Sequence, residues 1–304
     1  MKLRDLHYAV AVAEFSHFGR AAEACRVSQP ALSGQIKKLE GELGVPLFER
    51  TNRAVRITAA GEEIIAQARE VLAQVARIEA TAKAHVDPLA GRLRLGLIPT
   101  IGPYLTPILL PSVRHNLPGL ELRLREDLTL TLETELLAGR IDAAVTATTP
   151  ADPRLDEIPL YDEPFWVALP AKHSLAAEEE VDITGIEPDQ LLLLADGHCL
   201  RDQVLSFCKV SDDETARVNT QQTSLATILA LVGAGVGATL VPATNLGGSW
   251  VTDSGIALRR EKSRRASRAV RLIFRASYPG RVLLERMADI VCAIVPDTVS
   301  PARR

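Results

Sequence analysis

The chain has 304 residues, 47% hydrophobic, 24% charged and 4% aromatic, the balance of a soluble globular protein long enough for two compact domains. A net charge of −3 excludes a chain-wide basic field, so any contact with nucleic acid or membrane must be local, and the scarcity of aromatics argues against single-strand binding by stacking. Four cysteines are too few for a disulfide scaffold, and the opening MKLRDLHYAVAVAEF carries early acids and no small-residue cleavage site, so a reducing cytoplasm is the expected location.

Residues 1 to about 57 alternate short helical patterns with turn signals and carry a local basic excess. A first helix over about Phe18–Cys25 offers Ala21, Ala22 and Ala24, small residues that allow close helix approach. Arg26-Val27 then turns the chain into Ser28, a good N-cap, with Pro30 tolerated in the opening turn of a second helix. Leu32, Ile36 and Leu39 are spaced for burial, which leaves Gln29, Ala31, Ser33, Gly34, Lys37 and Lys38 on the outer face. These are the parts of a helix-turn-helix whose second helix enters the major groove with short polar side chains at base edges. Gly34 costs such a helix roughly 1 kcal/mol against Ala, and it marks a place where DNA could approach closely. Arg50-Thr-Asn-Arg53-Ala-Val-Arg56 alternates charge with small residues and suits a β wing whose arginines meet phosphates.

The run FGRAAEACRVSQPALSGQIKKLEGELGVPLFERTNRAVRITAAG resembles the winged helix-turn-helix of LysR-type transcriptional regulators. The Ala-Ala pair, Ser-Gln-Pro-Ala-Leu-Ser, the following Leu-Glu, Leu-Gly, Leu-Phe-x-Arg and Thr-x-x-Gly carry the likeness; Cys25 departs from it, standing where the family commonly has Leu. The resemblance implies double-stranded DNA as partner, with Ser28, Gln29, Pro30, Ser33, Lys37, Arg50 and Arg53 as contacts. It also implies three parts: a DNA-binding domain over 1–58, a linker helix over 59–88, and an α/β regulatory domain of two lobes, like a periplasmic binding protein, over 89–304.

In the linker stretch Ile64, Ala68, Val71, Val75, Ile78, Ala82 and His85 recur at spacings of four and three, a heptad seam. Alone, such a seam suits an intramolecular core or a dimer interface; the resemblance implies a homodimer that brings two recognition helices to a two-fold site. Asp87-Pro88 ends the helix. From Arg92, strand and helix patterns alternate: RLRLGLI, a helix around 103–116, LELRLRE, a helix around 131–139, then IDAAVTA, as in βαβ units. FWVALP over 165–170 and LLLL over 191–194 read as further buried strands.

Cys199 and Cys208 lie in GHCLRDQVLSFC. His198 and Arg201 flank the first thiol and are expected to favour its thiolate, whereas Cys208 follows Phe207 in an apolar setting. Residues 200–208 hold no breaker and predict a helix, in which positions nine apart lie about 13.5 Å apart. A disulfide needs Cα atoms within roughly 7 Å. A bond between the two thiols and an intact helix therefore exclude each other, and the segment could act as a two-state switch.

GHCLRDQ followed by a second Cys nine residues after the first is similar to the peroxide-sensing members of the same family, over essentially the whole chain. That likeness implies Cys199 as the peroxidatic thiol, Cys208 as the resolving thiol, and a pocket for hydrogen peroxide that includes Thr100, Thr129, His198 and Asp202. It further implies a homotetramer, RNA polymerase as a partner, activation of antioxidant genes, and no cofactor or metal. A family member that binds an organic effector with both thiols inert is the alternative; a thiol peroxidase is a third, less suited to a chain with a DNA-binding end. Two other segments carry expectations of their own. The uncharged stretch 218–252 reads as a buried helix over 225–232, a glycine turn through Gly233, Gly235 and Gly237, and a buried strand over 238–241, not as a membrane span. The basic run Arg259, Arg260, Lys262, Arg264, Arg265 and Arg268 reads as a solvated loop or edge strand, and Cys292 as structural.

Overall fold

A computed structural model describes residues 1–50, 55–210, 224–247, 255–263 and 265–302. They form two compact units, Met1–Ala82 and Lys83–Arg304.

The first unit begins with α1 (Leu3–Phe15), α2 (Phe18–Ala24) and α3 (Gln29–Leu43), each started or stopped by a local device. His17 Nδ1 accepts from the Gly19 and Arg20 amides at the head of α2, Ser28 Oγ accepts from the Ala31 amide at the head of α3, and Gly44 closes α3 with φ of 73°. Leu32, Ile36 and Leu39 are fully buried against Ala21, Ala22, Val12 and Phe18, as their spacing predicts. Ala24 is exposed and plays no part in that contact. The wing is present: β1 (Phe48–Arg50) pairs antiparallel with β2 (Val55–Ile57), with Glu49 opposite Arg56. Glu40 of α3 fixes the wing's root by accepting from the Leu47 and Phe48 amides. Gly61 is required where the next helix starts, because a Cβ there would stand 2.2 Å from the Leu47 carbonyl oxygen. That helix, α4 (Ala59–Val86), buries Ile65 and Ala68 but leaves Val71 42% and Ile78 70% exposed along the seam.

In the second unit one sheet runs β4-β3-β5-β10-β6-β9-β7. Its parallel part comprises β3 (Gly91–Leu97), β4 (Leu120–Glu126) and β5 (Ala143–Thr146), with α5 (Gly102–Asn116) and α6 (Thr129–Leu137) as connections. Strand β6 (Leu155–Pro170) is the shared spine: its first half pairs with β10 (Ser267–Arg275), its second with β8 (Thr239–Pro242) and β9 (Ile256–Glu261). The remaining elements are β7 (Glu180–Val181), α7 (Cys199–Cys208), α8 (Leu225–Gly233), α9 (Arg281–Ile294) and β11 (Ser300–Pro301). Two separate apolar cores result, one around Leu93, Leu132, Ile273 and Met287, the other around Val167, Ile183, Ile228 and Leu240, so the α/β unit has two lobes.

Three expectations need correction. Leu191–Leu194 are buried, but only Leu191 makes a bridge, to Ala238, so this run is an extended segment and not a named strand. The helix expected from 131 begins at Thr129, which makes that residue its first turn. The basic run is not uniformly solvated: Arg268 on β10 is 3% exposed. Its neighbour in sequence Arg264 lies outside the described residues. The described part of the uncharged stretch, 224–247, folds as α8, a glycine turn and β8; Gly235 has φ of 84°, and a Cβ on Gly237 would meet the Gln190 carbonyl oxygen at 2.2 Å. Among the described residues no helix is long and apolar enough to cross a membrane.

Candidate redox site and nucleic-acid interface

Three chain turns meet in the second unit. The turn after β3 brings Ile98, Pro99 and Thr100; the junction of β4 and α6 brings Leu128 and Thr129; the entry to α7 brings Gly197, His198 and Cys199. Together they line a shallow, narrow recess, about 170 Å³ of non-atom space including open solvent, too tight as it stands for a water-sized sphere. Thr100, Thr129, His198 and Cys199 are buried at its floor, with Cys199 9% exposed. Asp202, one turn along α7, is exposed and does not line the recess. It acts on Cys199 by charge alone, in the direction that disfavours a thiolate.

The cation expected beside Cys199 is present, but it comes from elsewhere. Burial is the largest influence on the Cys199 thiol and leaves its pKa raised; the positive charge of Arg268, followed by the Thr129 hydroxyl, pulls back against that rise. His198 is buried, which lowers its pKa and keeps the imidazole neutral. Arg201 turns away to the Leu194 carbonyl at 2.7 Å and the Asp196 carboxylate at 3.1 Å. The flanking residues are therefore not the source of thiolate stabilisation. Helical geometry explains this: successive side chains at the start of α7 point in different directions, so adjacency in the chain is not adjacency in space.

Arg268 is locked in place. Its Nε donates to Glu163 Oε2 at 2.7 Å, its Nη1 to Thr100 Oγ1 at 2.8 Å and its Nη2 to the Thr100 carbonyl at 3.2 Å. Neither side chain of the Glu163–Arg268 pair has any exposure, and Glu163 Oε1 accepts from the Thr244 amide at 2.7 Å and its hydroxyl at 2.5 Å. Because Thr100 Oγ1 accepts from the guanidinium, its own proton stays available to a molecule in the recess. Thr129 Oγ1 is buried with no hydrogen-bond partner of good geometry among the described residues, and its hydroxyl stands toward the Cys199 sulfur, whose pKa it lowers. A signal for Arg268 exists in the sequence: it shares strand parity with the buried Val270 and Leu272.

Cys208 sits at the far end of α7 in different company. It belongs to the second lobe's core, whereas Cys199 belongs to the first lobe's. Burial, reinforced by Glu261 and Asp182, pushes its thiol up to about 11. All four cysteines are free, and α7 is an unbroken helix from one thiol to the other. Cys292, also free, donates to the Leu160 carbonyl at 3.0 Å.

In the first unit Ser28, Gln29, Pro30 and Lys37 are exposed and Ser33 half-buried, all on the outer side of α3 or its cap. Arg50 is the last residue of β1, and Arg53 lies outside the described residues.

Residues 3–62 match the bacterial regulatory helix-turn-helix protein family of lysR type, and residues 87–293 match the LysR substrate binding domain. The chain belongs to the LysR family. Among LysR proteins it is 41% identical over 294 residues to the DNA-binding transcriptional dual regulator OxyR of Escherichia coli K12, spanning 96% of this chain and 95% of that one. It is likewise 41% identical over 292 residues to the hydrogen peroxide-inducible genes activator of Pectobacterium carotovorum subsp. carotovorum, spanning 96% of each. Full-length OxyR from Pseudomonas aeruginosa, solved with a cysteine-to-aspartate change, superimposes with a TM-score of 0.77 at 39% identity over 97% of this chain and 98% of that one. A cysteine-to-serine OxyR of Corynebacterium glutamicum with hydrogen peroxide bound gives 0.67 at 36% identity over 96% and 92%.

Proposed function

We propose that this LysR protein is a transcriptional regulator that senses hydrogen peroxide through Cys199 and stores the signal as a Cys199–Cys208 disulfide. The observation that carries the reading is the floor of the recess: a buried thiol under the charge of Arg268 and against the Thr129 hydroxyl, with the Thr100 hydroxyl free to donate. The thiolate of Cys199 attacks one peroxide oxygen. An S–O bond forms, the O–O bond breaks, sulfur gives up two electrons, and the departing hydroxide takes a proton to leave as water. Negative charge develops on that departing oxygen, where donors from Thr100 and Thr129 are worth most. Cys208, as its thiolate, then attacks the sulfenic sulfur; an S–S bond forms and the hydroxyl leaves as a second water. The neutral His198 serves as a hydrogen-bonding wall of the pocket. Asp202 acts from outside it.

The second step cannot occur on an intact α7. Its ends are held about 13.5 Å apart by helical rise, against the roughly 7 Å a disulfide allows. Resolution therefore unwinds α7 and withdraws Cys208 from the second lobe's core, and that refolding is the signal.

The rest of the reading follows the family. Residues 1–58 bind double-stranded DNA through Ser28, Gln29, Pro30, Ser33, Lys37, Arg50 and Arg53, residues 59–88 pair two chains, and residues 89–304 sense. At Gly34 an added Cβ would meet nothing within 4 Å in the chain, which leaves that space to DNA. The exposed Val71 and Ile78 supply the apolar dimer seam. The regulator works in the cytoplasm as a homotetramer, recruits RNA polymerase and activates antioxidant genes; it is oxidised once per subunit and does not turn over as an enzyme. The test is peptide mapping by mass spectrometry after low-dose peroxide. A Cys199–Cys208 bridged peptide is expected. Two free thiols after peroxide would end the reading and favour a regulator that binds an organic effector.

A further inference from the structure

The floor of the recess is polar, but its rim is not. Pro99 and Leu128 are half-buried and Gly197 is exposed, and these three stand over the buried Thr100, Thr129 and Cys199. The rim is narrow at this point: Gly197 has φ of 87°, and a Cβ built on it would lie 3.1 Å from Leu128 Cδ1, so no side chain larger than hydrogen fits between them without Leu128 giving way. Leu128 is also held firmly by its backbone. Its amide donates to Asp127 Oδ1 at 2.9 Å, its carbonyl accepts from the Leu132 amide at 2.9 Å as the cap of α6, and the Asp127 amide donates to the Leu97 carbonyl at 3.2 Å. A proline, a glycine whose conformation bars most side chains, and the Leu128 side chain, carried on a hydrogen-bonded backbone, narrow the mouth above the buried threonines.

From this we infer that Leu128, closing on Gly197, is a specificity-determining residue that admits hydrogen peroxide to Cys199 and excludes hydroperoxides with a bulky organic group. The inference rests on the peroxide-sensing reading. A water in the liquid takes roughly 30 Å³, and hydrogen peroxide is only one oxygen larger. An organic hydroperoxide must present its distal oxygen to Sγ while its carbon skeleton stays at the rim, where Leu128 stands. The chemistry is otherwise the same: the S–O bond forms, the O–O bond breaks, and the alkoxide takes a proton to leave as an alcohol. Only access differs.

The experiment measures the rate of sulfenic acid formation at Cys199 in the full-length reduced protein, by stopped-flow mixing and dimedone trapping, with hydrogen peroxide, tert-butyl hydroperoxide and cumene hydroperoxide. Wild type is expected to favour hydrogen peroxide over cumene hydroperoxide by at least about a hundredfold, and Leu128→Ala to shrink that ratio by about tenfold or more, the range over which pockets discriminate on missing carbons. Leu128→Val, a smaller trim for use if the alanine variant folds poorly, is expected to shrink it less. A ratio unchanged in both variants overturns the gate while leaving the sensor intact. So does a wild type that reacts equally with all three. Silence of the wild type toward every peroxide overturns the sensor reading and the gate with it.

Discussion

The two ends of α7 hold the same functional group in unlike surroundings. Cys199 opens the helix at the edge of the first lobe's core, where Arg268 and Thr129 counter the effect of burial. Cys208 closes it inside the second lobe's core, where Glu261 and Asp182 add to that effect. Burial raises the pKa of both thiols, but at Cys199 a cation and a hydroxyl offset part of the rise, whereas at Cys208 two carboxylates add to it. The difference shows how ten consecutive residues can set the same side chain in two unlike electrostatic environments. Reactivity is set by what the tertiary fold brings alongside each sulfur.

The largest effect should come from removing each sulfur in turn. Cys199→Ser is expected to abolish peroxide oxidation of the chain at physiological doses. Cys208→Ser is expected to stop the reaction at sulfenic acid, labelled by dimedone on Cys199. If Cys208 were labelled as readily in the Cys199→Ser protein, the contrast between the two ends would be broken. A second test follows the helix itself. Hydrogen exchange across 199–208 should be slow in the reduced protein and fast in the oxidised one, since the bridge forbids the helix. Equal protection in both forms would mean that the disulfide pairs other sulfurs.

The charge at the reactive end can be removed without leaving a lone buried ion. Replacing both partners, Glu163→Gln with Arg268→Gln, avoids the uncompensated charge that either change alone would bury. Arg268 pulls the Cys199 pKa down, so its loss should move the pH–rate midpoint upward and slow oxidation near neutrality. Each unit of rise lowers the thiolate population at pH 7 by about tenfold. A midpoint that stays put would show that the Thr129 hydroxyl, not the guanidinium, supports the thiolate.

How legible this was in the sequence depended on how far apart the partners lie. The helix-turn-helix can be read because its determinants are local: the Ser28 cap, the Leu32–Ile36–Leu39 spacing and the turn between them all act within a few residues. The incompatibility of α7 with a disulfide is likewise a matter of helical rise over nine residues. Arg268 was missed because its partners Glu163 and Thr100 are 105 and 168 positions away. Charge density along the chain predicts a solvated run, whereas Arg268 shares strand parity with the buried Val270 and Leu272. His198 and Arg201 are close in sequence to Cys199, yet the charge that lowers its pKa comes from Arg268 and not from them. Leu191–Leu194 is buried and extended like a strand, yet pairs at Leu191 alone, because hydrophobicity reports burial and not hydrogen bonding.

The smallest effect is thermodynamic and tests the hidden end. Folding raises the Cys208 thiol from an ordinary value of 9.0 to about 11, so the folded protein holds this proton more tightly than the unfolded chain does. By linkage, the stability this contributes is fully present below the unfolded value and is lost as pH climbs through the folded one. Reduced wild type should therefore lose on the order of 2 kcal/mol between those limits from this group alone. Buried Tyr161 and Tyr278, whose pKa values are also raised, add losses of the same sign at the alkaline end, so the informative quantity is the difference between wild type and Cys208→Ser in urea melts across that range. The serine variant should start less stable, having lost a buried sulfur, and then fall less steeply. Parallel curves would mean that Cys208 ionises as easily folded as unfolded, and the shielded end of α7 would have to be sought in some other property of the second lobe.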